Sequence, residues 1–448
     1  MHVLHASQRD HQMIYDVIGI GFGPANIALA VALEESGFSG TRLFLERKQS
    51  AGWQENMLLP GSDIQNHPLR DLVTPANPRS RYSFTNFLHE NNRLFEFLNL
   101  GITFPLRQEY AQYVRWVAQS FSKWVRYDTR VDSLSVDDES GSDGPVFSIS
   151  TPSGVYKARS VVVAPGRSPN IPRPFQHLLG PRAFHLTEYN ARIEALGPQL
   201  AEGGAIAVVG ASQSGVEIVL DLARRFPRAE VHSIIRSYGF RLKDTSPFSD
   251  EIYFPEFVDY YFNASPSGKA RLNAELRSTN YSSVDGDVLH QLYMARYQQR
   301  LDGRDRLYMH QNADITAVTP DDERLAIDVT NHISGHASKI EVEAVVLATG
   351  FKNFGRGGKE ELVHPLLLQV AEHLAIDPAL GVGVNRNYSA QLRDGARLPP
   401  LFLNGLCESS HGFGDAGSFS LLALRAREIA TALREITQVQ SPCELEHV

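Results

Sequence analysis

The residues best suited to chemistry in this sequence lie in two glycine-bearing turns, and neither turn carries a nucleophile. The first is Gly19-Ile-Gly21-Phe-Gly23-Pro24-Ala-Asn26. The apolar run Tyr15 to Ile20 precedes it, and Ile27-Ala-Leu-Ala-Val-Ala-Leu33 follows. That order predicts strand, turn and helix, which lets backbone approach a pyrophosphate and aims helix N–H groups at it. Pro24 stands where the usual third glycine of such a fingerprint falls. The second turn is Gly210-Ala-Ser212-Gln213-Ser-Gly215, after the apolar run Ala205 to Val209, with a serine in the middle glycine's place. Glu46 ends the next apolar run after the first turn, where an acid takes a ribose hydroxyl. Arg236 holds the corresponding place after the second turn and suits a 2′-phosphate, with Arg241 and Lys243 nearby to assist. The pair of folds therefore reads as FAD in the first and NADPH in the second, with the cofactors carrying the redox chemistry.

A loop-like stretch at residues 50–82 interrupts the α/β rhythm, and long loops beside nucleotide folds are usually functional. It contains Gln65, His67 and Arg70. His67 reads as an ordinary loop histidine. Arg70 is a candidate clamp for a carboxylate, which its planar guanidinium can hold through two parallel hydrogen bonds. Tyr110, Tyr113 and Trp116 recur at helical spacing and read as core. Residues 130–163 alternate as a β-meander with a turn at 139–144. Residues 244–304 form no βα unit and read as an insertion with helices near 266–277 and 284–300. The runs ending at Gly166 and Gly350 read as buried strands ending in glycine turns, and the glycine-rich segment Cys407 to Asp415 before a last helix suggests further backbone contact with cofactor.

The whole chain is consistent with that reading. Its 448 residues suffice for two or three domains. A net charge of −8, from 43 basic and 51 acidic residues, argues against a general nucleic-acid binder. Only Cys407 and Cys443 are present, so neither a disulfide framework nor a zinc cluster is indicated, and a disulfide reductase lacks its cysteine pair. No apolar run has membrane-spanning length, and the polar first twelve residues do not resemble a signal peptide, so a cytoplasmic enzyme is expected.

Further short motifs follow in one order: Trp53; Gln65 with Leu69-Arg-Asp-Leu-Val-Thr74; Ser83-Phe84; Gly210-x-Ser-Gln-Ser-Gly215; Ser246-Pro-Phe248 with Pro255-Glu-Phe257; Thr279-Asn-Tyr-Ser282 with Asp285; Ala348-Thr-Gly-Phe351; His411-Gly412. With Gly19-x-Gly-x-Gly-Pro-Ala-Asn26 they make the chain resemble, nearly end to end, the flavin-dependent N-hydroxylating monooxygenases of siderophore biosynthesis, the L-ornithine N5- and L-lysine N6-monooxygenases.

The resemblance implies that NADPH reduces FAD, that oxygen adds to the flavin as a C4a-hydroperoxide, and that a neutral amine attacks its distal oxygen to become a hydroxylamine. The protein's part is positioning and exclusion of water, with no metal. It also implies Gln65 at the flavin and nicotinamide edge, Gln213 on the nicotinamide side, and Trp53 and His411 to Asp415 at the cofactor. Arg70, Asp250 and Asn280 fall at the amine. Two departures stand out: Arg70 replaces a lysine and Asp250 an asparagine of the ornithine enzymes. Ornithine or lysine is the leading substrate. The added charge of Asp250 leaves room for a diamine, histamine or another amino acid, and Baeyer–Villiger or sulfide-type flavin monooxygenation is a remoter alternative.

The fold expected is α/β, with two Rossmann-like dinucleotide-binding domains and a small, mostly helical substrate region. Residues 1–12 read as a flexible arm, 13–175 as the first part of the FAD domain, and 176–245 with 305–345 as the NADPH domain. Residues 246–304 read as the substrate insertion, and 346–448 as the FAD domain's return and C-terminal helix. A homo-oligomer, tetramer or dimer, is expected from the resemblance.

Overall fold

The computed structural model describes residues 10, 11, 13–138, 144–321 and 323–440, side chains 439 and 440 excepted. Strand β1 (Val17–Ile20) is wholly buried and leads through the first glycine turn into helix α1 (Pro24–Glu35). Ile27, Leu29, Val31 and Leu33 of α1 are all buried. A helix apolar on every side needs cover all round, and each fully buried aliphatic side chain contributes roughly 1.5–3 kcal/mol. Strand β2 (Arg42–Leu45) follows, then helix α2 (Arg107–Gln119), strand β3 (Val125–Arg126) and strand β4 (Val161–Val163). These strands, with an edge strand from the far end of the chain, make one parallel sheet.

The second sheet begins with strand β5 (Ala183–His185), then helix α3 (Tyr189–Ala201), strand β6 (Ala205–Val209), helix α4 (Gln213–Arg225) and strand β7 (Glu230–Ile234). Helices α5 (Pro255–Phe262), α6 (Pro266–Glu275) and α7 (Gly286–Leu301) occupy the insertion. Strand β8 (Leu307–His310) and strand β9 (Ala344–Leu347) complete a parallel sheet in the order β8-β7-β6-β9-β5. The edge strand β10 (Leu401–Leu403) closes the first sheet, in the order β10-β4-β1-β2-β3, and helix α8 (Leu422–Gln440) packs back on α1.

The two sheets are joined by two crossings of the chain, after β4 and after β9. The crossings bond to each other: Asn170 N–H donates to the Gly350 carbonyl at 2.9 Å and Lys352 N–H to the Ser168 carbonyl at 2.8 Å.

The α/β class with two parallel nucleotide-type sheets is as expected. Several details differ. Helices α1 and α4 begin at Pro24 and Gln213, because each starts directly at its glycine turn. The boundary drawn between 345 and 346 falls inside β9, which lies between β6 and β5, so the second sheet extends to Leu347. The arm expected over 1–12 falls mostly outside the described residues. Its described part is docked: Asp10 is buried, accepts from Tyr15 Oη at 2.9 Å and pairs with Arg126 at 2.6 Å. The expected meander runs through 133–137, 146–151 and 154–158, with most of its turn outside the described residues. A further antiparallel meander at 313–320, 325–331 and 337–342 covers one face of the second sheet, and sequence reading did not mark it.

Candidate active site

The first glycine turn is held from behind and open in front. A Cβ on Gly21 would lie 2.4 Å from the Ala164 carbonyl oxygen, and its φ of +86° excludes most side chains. Asn26 Nδ2 donates to the Gly21 carbonyl at 2.7 Å, while its Oδ1 accepts from Asn404. Glu46 Oε2 accepts from Phe22 N–H at 2.7 Å and Oε1 from Lys48 N–H at 2.9 Å. A Cβ built on Gly23, by contrast, meets nothing within 4 Å. Gly23 is the N-cap of α1 and makes no side-chain cap, and Pro24 starts the helix without an N–H. An open cradle at an uncapped helix N-terminus fits a pyrophosphate. The second turn repeats the design. Gly210 (φ +144°) approaches the Ala348 carbonyl, Gly215 lies against the Gly210 carbonyl, and Ser212 caps α4 without a side-chain bond. Both turns therefore fit the dinucleotides that the sequence implies.

Between the turns, Gln65 and Gln213 meet at one residue. Gln65 Nε2 donates to the Asp285 carboxylate, and Gln213 Oε1 accepts from the Asp285 N–H at 2.9 Å. Gln65 has a φ of +51°, an uncommon conformation that Asp63 supports by accepting from its N–H at 2.9 Å. Below them Arg107 and Glu217 form a buried two-pronged pair at 3.0 Å on each prong. Arg107 also donates to the carbonyls of Met57 and Asp63, and Glu217 accepts from Gln213 Nε2 at 3.1 Å. One ion pair thus ties the 57–65 loop to α4.

Arg70 and Asp250, expected at the amine, are half-buried, and the Arg70 guanidinium lies 5.8 Å from the Tyr253 ring. Among the described residues Arg70 and Asp250 form no ion pair with each other. Burial pushes the Asp250 carboxyl up from the ordinary aspartate range, while Arg70 and then Lys243 pull it down. Asn280 Nδ2 reaches the Phe413 carbonyl at 3.4 Å.

Lys243, expected to assist at a 2′-phosphate, lies 3.7 Å from the Asp285 carboxylate. Arg236 is exposed; with Arg277 it faces Lys359, and those like charges add to burial in lowering the lysine's pKa. Trp53 packs edge-on against Phe419 and Tyr110, at 5.1 and 5.8 Å between ring centres. His411 turns both nitrogens to the protein, to Ser410 Oγ at 2.8 Å and the Arg386 carbonyl at 3.1 Å, and stacks on Tyr388. Burial lowers its pKa to about 4, so it is neutral. Asp415 accepts from Cys407 N–H at 2.6 Å and pairs with buried Arg425. The side chains of His411 and Asp415, expected at the cofactor, are therefore interior supports. Sequence reading missed Arg107 and Glu217. The available signal was that Glu217 follows Gln213 by one helical turn.

Residues 13–353 match the family described as L-lysine 6-monooxygenase/L-ornithine 5-monooxygenase. The chain belongs to that family. It is 36% identical over 417 residues to an L-ornithine N(5)-monooxygenase of Burkholderia cepacia, covering 90% of each chain. The ornithine N-hydroxylase of Kutzneria sp. 744, solved with reduced FAD, NADP+ and L-ornithine, superposes with a TM-score of 0.86 at 32% identity, over 95% of this chain and 100% of that one. An L-lysine 6-monooxygenase of Pseudomonas syringae gives a TM-score of 0.82 at 36% identity, over 94% of this chain and 99% of that one. As a member of the family, the chain is a flavin N-monooxygenase with FAD and NADPH as its cofactors.

Proposed function

We propose that this enzyme hydroxylates the side-chain amine of ornithine or lysine, giving a hydroxylamine for siderophore-type biosynthesis. What carries the substrate reading is that Arg70 and Asp250, opposite in charge and half-buried, form no ion pair with each other. Such a pair matches a zwitterionic head group, with Arg70 on the carboxylate and Asp250 on the α-ammonium. Asn280 completes this end of the pocket. The far amine then points toward the Gln65–Asp285–Gln213 junction.

The first turn, with Gly19, Gly21, Gly23, Pro24, Asn26 and Glu46, would hold FAD, aided by Trp53. Gly210, Ser212, Gly215 and Arg236 would hold NADPH. When bound and reduced by NADPH, the flavin supplies activation of oxygen. Gln65 and Gln213, locked through Asp285, orient the groups on either side of it. The exposed Tyr293, Tyr297 and Leu301, spaced four apart along α7, support the expected homo-oligomer.

The acid at 250 also favours a second reading, a substrate with a second cation and no carboxylate, such as a diamine or histamine. The deciding experiment measures hydroxylamine, with FAD and NADPH supplied, from ornithine, lysine, putrescine, cadaverine and histamine. Ornithine or lysine as best substrate upholds the amino-acid reading. A decarboxylated amine as best substrate replaces it with the second. Peroxide release without hydroxylamine from any amine refutes both.

A further inference from the structure

A buried polar cluster outside the residues assigned above joins four separate parts of the chain. Arg167 Nη1 donates to Tyr281 Oη at 3.0 Å, to Asn353 Oδ1 at 2.9 Å and to Glu408 at 3.4 Å. Tyr281 Oη donates to the Glu408 carboxylate, and Asn353 Nδ2 donates to its other oxygen at 2.7 Å. Arg167 and Glu408 are only 12% and 8% exposed at their side chains. Burial pushes the Glu408 carboxyl up, and Arg167 pulls it back. The surroundings fit the cluster closely: a Cβ on Gly417 would lie 2.7 Å from Arg167 Nη2.

The origins of the four residues give the cluster its meaning. Arg167 lies in the first crossing between the two sheets and Asn353 in the second. Glu408 lies between β10 and α8. Tyr281 comes from the insertion and is the neighbour of Asn280. A buried charge pair of this kind contributes little net stability over an apolar packing, and its best-attested use is to fix one arrangement.

We propose that Arg167 and Glu408 are positioning residues: through the Tyr281 hydroxyl they pin the segment that carries Asn280 to both crossings, and so set where the amine lies relative to the two nucleotide folds. This rests on Asn280 serving the amine. The test compares wild type with Tyr281→Phe and Glu408→Gln, both loaded with FAD. The readouts are amide hydrogen exchange over residues 277–283, KM and kcat for the best amine, and the rate of flavin reduction by NADPH without amine. Losing these hydrogen bonds should speed exchange about tenfold and raise the amine KM about fivefold, with kcat and flavin reduction within about twofold. Unchanged exchange and KM in Tyr281→Phe would overturn the proposal, and so would a parallel loss of flavin reduction and KM. If Glu408→Gln does not accumulate folded, Tyr281→Phe decides alone. If wild type hydroxylates no amine, the proposed function fails, while the exchange comparison still decides whether the cluster pins this segment.

Discussion

Replacing Glu217 with glutamine tests whether one buried ion pair holds the loop carrying Gln65 against the second nucleotide fold. The substitution keeps the shape and removes the charge. Arg107 then retains the Met57 and Asp63 carbonyls and one amide oxygen, but its guanidinium faces an NH2 group where it had a carboxylate oxygen. Breaking a buried pair from one side costs about 3–5 kcal/mol. The retained acceptors place Glu217→Gln at the lower end, about 3 kcal/mol. An unfolding entropy of about 2.1 cal/mol/K per residue over this chain turns that into a fall in Tm of about 3 °C. The assay is thermal unfolding followed by circular dichroism and by flavin release, with Arg107→Gln and the double variant completing a cycle. Because the first substitution already breaks the pair, the double variant should be less destabilised than the sum of the singles by about 1–3 kcal/mol. A shift below about 1 °C for Glu217→Gln, with additive singles, would refute the claim that this pair ties the loop to α4.

Other outcomes follow from the same geometry. Gly23→Ala should fold normally, because its Cβ meets no atom within 4 Å, yet weaken FAD at least about tenfold by filling the cradle; equilibrium dialysis of FAD checks this. Gly21→Ala should instead fail to accumulate folded protein, since its Cβ would strike the Ala164 carbonyl at 2.4 Å, as measured by soluble yield. Asp250→Asn should raise KM for ornithine or lysine about tenfold and spare kcat, if the acid faces an α-ammonium; steady-state hydroxylamine assays read it. Burial lowers the pKa of His185 and His411 to about 4, below the 6.5 of an unfolded histidine. The unfolded chain therefore binds the extra protons, and stability is lost as pH falls from about 6.5 to about 4, by about 1–3 kcal/mol for each histidine. Urea unfolding across that range should show the slope, and replacing both histidines with glutamine should make it shallower, because buried His232 and His364, also lowered to about 4, carry part of it.

Much of this architecture was legible because its signals are local. A strand, a glycine turn and a helix lie within twenty residues at each nucleotide fold, so Gly21 and Gly210 announce themselves. The insertion stood out through its lack of βα rhythm. The misreadings share the opposite property. Arg107 and Glu217 are 110 residues apart, and only the folded chain shows that they pair. His411 sits in a glycine-rich segment of the type that touches cofactor, but Tyr388 and the Arg386 carbonyl capture its ring from another loop. The boundary near 345 was misplaced because an apolar strand ending in Ala-Thr-Gly fits either sheet, and only pairing with β6 and β5 assigns it. Arg70 and Asp250 were recognisable as a changed pair of charges, whereas their lack of a mutual ion pair is a property of distance.

The bond from Asn404 to Asn26 spans 378 residues and passes on through Asn404 Oδ1 to Arg425 Nε, at 2.7 Å. On a ribosome, this means that the glycine turn at Asn26 is finished only after Asn404 and Arg425 have emerged. At about 5–20 residues per second the delay is roughly 20–80 s, during which the middle fold can close around its own complete sheet. The nascent first sheet meanwhile presents the unpaired edge of β4, which β10 later covers. Shortening the chain ahead of Arg425 would therefore leave the cradle at Asn26 unsupported, and a dinucleotide can settle firmly there only once Asn404 and Arg425 have been made.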